Sequence, residues 1–320
     1  MTSPTISNQE TLIESSQKFH APRLIDRIFY WLTVLPAVGI GAVLVWITYS
    51  LLSIAFPAIA TFNLGFLFSQ VWNPVQDLYG ALPQIYGTIV SSIIALLFAV
   101  PLGVGVAVFL SEDFLPRRIL TPIAFVIELL AAIPSVVYGM WGIFVFVPFI
   151  LPLLQGIHNA LGWIPFFSTP PSTRQMFATA LVLAIMILPT IIAISRDSLI
   201  SLPPQLRQGA YGLGATRWET IMQVLLPAGL SGIIGSVMLA LGRALGETMA
   251  AAMLIGNANR VNVSLFAPAS TISALIANQF GEASGLQRSA LFYQALILMI
   301  LTLIVNMLAE VIVSRFQQVE

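Results

Sequence analysis

The stretch SLPPQLRQGAYGLGATRWETIMQVLLP, residues 201–227, is a patterned polar loop between two long apolar segments. Pro204 is suited to the first turn of a helix. The residues that follow recur at intervals of four and three, as on one helix face: Leu206, Ala210 and Leu213. Gly214 then permits a turn, and a second helical pattern begins at Trp218. The loop therefore predicts a short helix, a glycine turn and a second helix, held against one face of a membrane.

The flanking sequence is more apolar than a soluble protein allows. Some 58% of the 320 residues are hydrophobic and only 8% are charged, whereas soluble domains have about 25% charged residues. A helix needs about 20 apolar residues to cross a bilayer. Runs of that length, with at most two charges each, occupy 28–56, 85–110, 119–151, 175–195, 227–256 and 289–313. The sequence therefore predicts an all-α integral membrane protein with six transmembrane helices in the lipid bilayer.

The rest of the composition excludes several functional classes. The 13 basic and 13 acidic residues balance, which excludes the basic surface that binds nucleic acid. There is no Cys, and His20 and His158 are the two His residues, so disulfides and Cys- or His-rich metal sites are excluded. No Gly-x-x-x-x-Gly-Lys phosphate loop and no Ser/His/Asp arrangement occurs. We therefore expect no enzyme, no metal and no cofactor in this chain, and its energy must come from another subunit or from an ion gradient.

The basic residues predict the orientation. If the sides alternate, nine of the 13 basic residues lie on the side of the N-terminus and three on the other, with Arg243 inside the membrane. An excess of Lys and Arg marks the cytoplasmic side, so both termini are expected in the cytoplasm. Residues 1–27 form the expected cytoplasmic tail, whose first 15 or so residues are polar and expected to be disordered. Residues 28–84 hold a retained first helix and a periplasmic loop.

The spacing within the 201–227 loop resembles that of a known family. A Gly, nine residues, a Val, one residue and a Leu-Pro pair are similar to the cytoplasmic signature of ABC importer permeases, and Gln-Gly-Ala stands where the family has Glu-Ala-Ala. The resemblance implies that residues from about 203 to 226 form a coupling loop, which docks on an ATPase subunit. The positions so assigned are Gln208, Gly209, Ala210, Gly214, Val224, Leu226 and Pro227.

Other segments resemble the phosphate-specific transport permeases. They are GALPQIYGTI at 80–89, PLG at 101–103, AAIPSVVYG at 131–139 and GRALGETMA at 242–250. With the long N-terminal part, they indicate the PstC type over residues 28–316. This resemblance implies a type I (MetI-like) ABC importer permease of the bacterial inner membrane, with its core at 85–316. It also implies inorganic phosphate as substrate, a homologous PstA-type permease, two PstB-type ATPase subunits that bind ATP and Mg, and a periplasmic PstS-type phosphate-binding protein.

Charged residues inside the predicted spans are candidates for a translocation pathway. Arg243 and Glu247 lie four residues apart, so they share a helix face and could pair. A mid-membrane charge costs about 2.5–3.5 kcal/mol, and a guanidinium suits a tetrahedral oxyanion. Glu128, in the third run, could pair with Arg243 or with a partner subunit. For all three, a fixed structural role is the alternative, and Glu310 is expected to reach the interface at the end of the last run.

Three other functions stay open from the sequence. An ABC permease for another oxyanion, such as sulfate or molybdate, would share the loop and the buried charges. An ion-coupled secondary transporter would be built from two similar halves, and no convincing internal repeat occurs. A membrane-bound assembly factor would need neither a pathway nor an ATPase contact.

Overall fold

The computed structural model describes residues 23–112, 114 and 116–317. Within these residues the chain is helical apart from turns, connecting segments and two isolated β-bridges. The chain divides into two compact units, Met1–Ser53 and Ile54–Glu320. The expected disorder of the first 15 residues lies outside the described residues.

The principal helices are numbered here in chain order. They are α1 (Arg23–Phe62), α2 (Leu82–Ser111), α3 (Arg117–Ala131), α4 (Ser135–Trp141), α5 (Val147–Leu161), α6 (Met176–Ile200), α7 (Pro204–Gly212), α8 (Leu230–Gly246), α9 (Met249–Leu254), α10 (Ile272–Gln279) and α11 (Gly285–Gln317). Short helical turns occupy Gly65–Phe68, Pro165–Phe167, Arg217–Glu219 and Leu226–Ala228, and π-helical turns occupy Gly142–Phe146 and Thr220–Leu225.

Six stretches of the described chain can cross a membrane. Five are long, apolar helical stretches: Asp26–Phe62, Leu82–Ser111, Ser135–Leu161, Met176–Ile200 and Gly285–Leu308. The sixth combines Arg217–Ala228 with Leu230–Gly246, which meet at 67°. The predicted all-α membrane fold is confirmed, and the described residues reach the predicted six spans when the bent pair is counted as one span. The third and fifth spans differ in detail from the prediction.

The third span begins later than predicted. The predicted run over 119–151 is not one helix, because α3 ends at Ala131 and the helix resumes only at Ser135. Pro134 lies between them; its ring keeps the preceding residue out of the helical region, and its fixed φ suits the entry to a new helix. From Ser135, α4, the π-helical turn and α5 follow one another to Leu161. The residues of the third predicted span are therefore divided between a separate helix and the real span.

The fifth span is broken twice, so a continuous helix over 227–256 is also wrong. The first break is at Gly229, where an added Cβ would lie 3.2 Å from the carbonyl oxygen of Leu225. The second break is at Glu247, whose backbone is extended (φ −65°, ψ 123°), and helix resumes at Met249. Because of this second break, the positions after Gly246 no longer follow helical spacing.

The core of the second unit lies between α2, α6 and α8. Buried apolar side chains of these helices meet there: Ala95, Ala99, Val182, Leu183, Met186, Ile187, Ile191, Ala240 and Ala244. An added Cβ at Gly103 of α2 would lie 2.7 Å from Cγ2 of Ile191 on α6. A small residue at this position permits the close approach of the two helices, which places their C-terminal ends side by side.

The aromatic segment after α1 folds onto α10 and α11. The fully buried ring of Phe66 stacks on Tyr293, with ring centroids 4.5 Å apart. Nε1 of Trp72 donates a hydrogen bond to Oε1 of Gln279 at 2.8 Å. Burial, together with a hydrogen bond to Asp77, raises the pKa of Tyr79 to about 12. This segment is therefore a packed part of the second unit.

Candidate functional site

The loop between α6 and α8 begins with α7 and a tight left-handed turn. Gly214 has a φ of +84°, a conformation that glycine adopts without strain. Its amide donates to the carbonyl of Tyr211 at 3.0 Å, and the amide of Ala215 donates to the carbonyl of Ala210 at 3.1 Å. These two hydrogen bonds form a Schellman motif, which ends α7 and turns the chain back.

A capping motif fixes the start of the next helix. The hydroxyl of Thr216 accepts from the amide of Glu219 at 3.3 Å, and Oε2 of Glu219 accepts from the amide of Thr216 at 2.8 Å. This reciprocal pair is a capping box. We did not predict it, although the Thr-x-x-Glu pattern is visible in the sequence. The helix end and the helix start are both fixed within a few residues of Gly214, so the loop has a defined shape.

The loop exposes apolar side chains beside this turn. Leu213 is 91% exposed and Trp218 is 63% exposed. The predicted docking positions divide by exposure into exposed Gln208, Gly209, Gly214 and Pro227, half-buried Val224 and Leu226, and buried Ala210. Large apolar side chains exposed close together mark contacts with another protein or with a membrane.

A buried ion pair anchors α7 to the ends of α2 and α6. Nη2 of Arg207 lies 2.8 Å from Oε1 of Glu112, and Nε donates to the same oxygen at 3.2 Å. Nη2 also donates to the carbonyl of Leu199 at 3.0 Å. The side chain of Glu112 is only 6% exposed. We did not predict either residue, because they lie 95 positions apart and no sequence pattern connects them.

Arg243 lies in the last turn of α8 and not at the middle of a continuous helix. Its side chain is half-buried, and Nη1 donates a hydrogen bond to Oγ1 of Thr190 on α6 at 3.4 Å. Within the described part of the chain, Arg243 forms no ion pair. A guanidinium has five N–H donors, so this one can still bind an anion.

Glu247 does not share a helix face with Arg243, and the predicted pair is wrong. Spacing by four places two residues on one face only within a continuous helix, and α8 ends at Gly246. The carboxylate of Glu247 instead accepts from the amide of Ala250 at 3.1 Å, at the start of α9. Its carbonyl accepts from the hydroxyl of Ser273 at 2.7 Å, which connects it to α10. A role for Glu247 in translocation stays a prediction.

Glu128 lies on an exposed side of α3. The helix α3 is separated from the long stretch Ser135–Leu161, so burial of Glu128 within this chain is not seen, and its predicted contact with a partner subunit stays a prediction. The half-buried residues of this helix share one face: Leu120, Ala124 and Ile127. Glu128 lies beside that face and, within the described residues, forms no ion pair with Arg243. Its assignment to the pathway stays a prediction.

A cavity of about 780 Å³ lies between α6, α8 and α11. Its lining residues are Thr190, Gly235, Met238, Leu239, Gly242, Arg243, Asn306 and Glu310. Gly235 and Gly242 are about 10 Å apart along the axis of α8, so the cavity follows that helix for about two turns. We did not predict Thr190 or Asn306, and Glu310 was expected only at the interface. Asn306 and Glu310 are four apart in the continuous helix α11 and therefore share a face, so the cavity combines donors and acceptors from three helices.

Comparison with known proteins gives a consistent result. A family model described as "binding-protein-dependent transport system inner membrane component" matches residues 99–318. The phosphate transport system permease protein PstC of Mesorhizobium japonicum is 45% identical over 298 residues, which cover 91% of each chain. Its namesake from Haemophilus influenzae is 44% identical over 312 residues, covering 96% of this chain and 99% of that one.

Two solved structures share the fold at low sequence identity. A chain of the inward-facing MetNI methionine ABC transporter superposes with a TM-score of 0.57 at 16% identity, covering 77% of this chain and 99% of that one. A chain of a bacterial alginate ABC transporter superposes with a TM-score of 0.58 at 17% identity, covering 90% of this chain and 96% of that one. The predicted MetI-like architecture is therefore confirmed.

Proposed function

The chain belongs to the family of binding-protein-dependent transport system inner membrane components and is a PstC-type permease subunit of an ABC phosphate importer; from this premise we propose that it lines one half of a phosphate pathway and takes its energy from separate ATPase subunits. It is a multi-pass inner membrane protein and a transport component, not an enzyme. The proposed partners are a PstA-type permease, which completes the pathway, two PstB-type ATPase subunits, which bind ATP and Mg, and a periplasmic PstS-type phosphate-binding protein.

The observation that carries the proposal is the rigid loop between α6 and α8. Its Schellman turn and capping box hold Leu213 and Trp218 outward, where they can fill a groove on an ATPase subunit. The loop continues directly into the bent fifth span, so a push on the loop is transmitted to α8. This geometry supports an ATP-driven mechanism in which movement of rigid elements alternates access to the pathway.

The cavity beside Arg243 supports the choice of an anion as substrate. Arg243 and Thr190 supply N–H and O–H donors, which phosphate oxygens accept. Because the lining comes from one side of α6, α8 and α11, we propose that the homologous permease closes the other side. In this arrangement phosphate passes Arg243 between the two permeases and leaves toward the cytoplasmic end of α11.

Uptake by the reconstituted complex tests the proposal. Proteoliposomes that contain both permeases and the ATPase subunits, supplied with binding protein, should import ³²P-phosphate only with ATP. Unlabelled phosphate should compete and sulfate should not. Competition by sulfate alone would favour a permease for another oxyanion, and uptake driven by a proton gradient without ATP would favour a secondary transporter.

Docking of the ATPase subunits at the loop can be tested separately. Leu213→Asp places a charge on an exposed, unpacked position, so the fold is expected to persist while the ATPase subunits are lost on purification. Retention of the ATPase subunits by this variant would argue against docking at the loop.

A further inference from the structure

The cytoplasmic loop contacts a helix that is not adjacent to it in the sequence. The loop joins α6 to α8, but Arg207 on α7 forms its ion pair with Glu112, the residue that ends α2. The same guanidinium holds the carbonyl of Leu199, in the last turn of α6. A single side chain therefore ties α7 to the cytoplasmic ends of both α2 and α6.

A second contact fastens the other side of the turn to the same helix end. The guanidinium carbon of Arg217 lies 4.1 Å from the ring centroid of Phe114, a cation–π distance. Phe114 in turn stacks on Phe109 of α2, with centroids 5.7 Å apart. The two arginines flank Gly214, so both arms of the loop are held to the end of α2.

Apolar packing fills the space between these contacts. Buried side chains from α2, α6, the π-helical turn and α8 form one cluster: Val108, Leu199, Ile221, Leu225 and Ile233. A closely packed cluster transmits displacement because it cannot be compressed. The side chain of Glu112 is only 6% exposed, so separation from Arg207 would leave its negative charge buried and unpaired, at a large cost in free energy. The ends of α2, α6 and the loop therefore move as one body.

We propose that Glu112 and Arg207 are positioning residues for transport, which make α2 a third helix driven by the coupling loop in addition to α6 and α8. The proposal rests on the function proposed above, because it assumes that an ATPase subunit pushes on the loop. It assigns the pair a role in transmitting that push. A structural role alone would make the complex less stable but would leave the phosphate imported per ATP unchanged.

The test compares Glu112→Gln and Arg207→Gln in the reconstituted complex with both permeases, the ATPase subunits and the binding protein. The readout is the ratio of ³²P-phosphate imported to ATP hydrolysed. We expect this ratio to fall about tenfold in both variants, a typical size for coupling between sites. The matched control is Asp197→Asn, which removes the exposed partner of the 3.8 Å Arg196–Asp197 pair at the same end of α6. Its ratio should equal that of the wild type.

A cross-linking rescue separates transmission from folding. The natural chain has no Cys, so Glu112→Cys with Arg207→Cys places the only two thiols of this chain at the ends of the broken pair. A bifunctional thiol reagent that joins them should restore the ratio lost in the double variant. A normal ratio in the single variants and in the uncross-linked double variant would overturn the proposal.

Two remaining outcomes are also decisive. If no variant of the pair assembles with the ATPase subunits while Asp197→Asn does, the pair serves assembly alone and the proposal is overturned. If the wild-type complex imports no phosphate, the proposed function fails, independently of the ion pair.

Discussion

Arg243 brings to the cavity a positive charge that the described residues do not neutralise by an ion pair. A charge at membrane depth costs about 2.5–3.5 kcal/mol even on the mildest scale. A fixed carboxylate partner would offset this cost, but it would also compete with a passing anion. Glu247, the nearest candidate in the sequence, instead accepts from the amide of Ala250. The guanidinium is therefore free to bind a transient counter-ion such as a passing anion.

Removal of this charge should strongly reduce transport and leave the complex assembled. A hydrogen bond to a charged group is worth about 1.5–3 kcal/mol, so Arg243→Gln is expected to lower ³²P-phosphate uptake by about 10- to 100-fold. Arg243→Lys keeps the charge but loses the planar set of donors, and an intermediate loss is expected. Unchanged uptake in the Gln variant would refute a pathway role, and loss of assembly would indicate a packing role.

The stabilising role of Glu247 is expected to require a side-chain oxygen that accepts a hydrogen bond, and not the negative charge. Its carboxylate caps the start of α9, and the amide oxygen of Gln can accept the same hydrogen bond. Glu247→Gln should therefore unfold at nearly the wild-type temperature, whereas Glu247→Ala should lose about 1 kcal/mol, the usual value of a helix cap. Thermal unfolding of the purified complex measures this difference. Equal damage by Gln and Ala would show that the negative charge itself matters.

At the scale of elements, the turn at Gly214 offers a test with an internal control. An L-residue in the left-handed region costs about 1–2 kcal/mol, so Gly214→Ala should lower stability by that amount even though an added Cβ meets no atom there. Gly209 also has open space around an added Cβ but lies inside α7. Gly209→Ala should therefore raise stability, by about 0.5–1 kcal/mol. Thermal unfolding of both variants should give opposite signs; the same sign for both would contradict the assigned turn geometry.

The sequence could predict the elements whose signals are local. The spacing around Gly214 and the apolar runs specify the loop and the membrane spans, because helical period, span length and turn chemistry are short-range properties. The two breaks of the fifth span were not predictable in this way, since they depend in part on distant residues: Gly229 lies against Leu199, and the carbonyl of Glu247 accepts from the hydroxyl of Ser273. The ion pair of Glu112 with Arg207 and the cavity residues Thr190 and Asn306 depend on tertiary contacts, which one sequence does not reveal.

For the whole molecule, the scarce charges and the abundant exposed apolar residues have separate locations. Large side chains of α1 and of the spanning helices are exposed and apolar, as a lipid-facing surface requires. Polar side chains from three helices instead converge on the cavity beside Arg243. The three helices line this cavity from one side only, which agrees with the proposal that a homologous permease closes the other side.

The two ends of the molecule can be assigned to sides of the membrane by single-cysteine labelling. The natural chain contains no Cys, so every label reports the introduced residue. Val75, in the segment between α1 and α2, is 94% exposed, and Leu213 is 91% exposed. Because the excess of basic residues marks the side of Leu213 as cytoplasmic, Val75→Cys should react with a membrane-impermeant thiol reagent in spheroplasts. Leu213→Cys should react only after the membrane is permeabilised.

The reverse labelling pattern would invert the orientation and remove the ATPase contact from the loop. Labelling of both positions in sealed cells would contradict an odd number of spans between them.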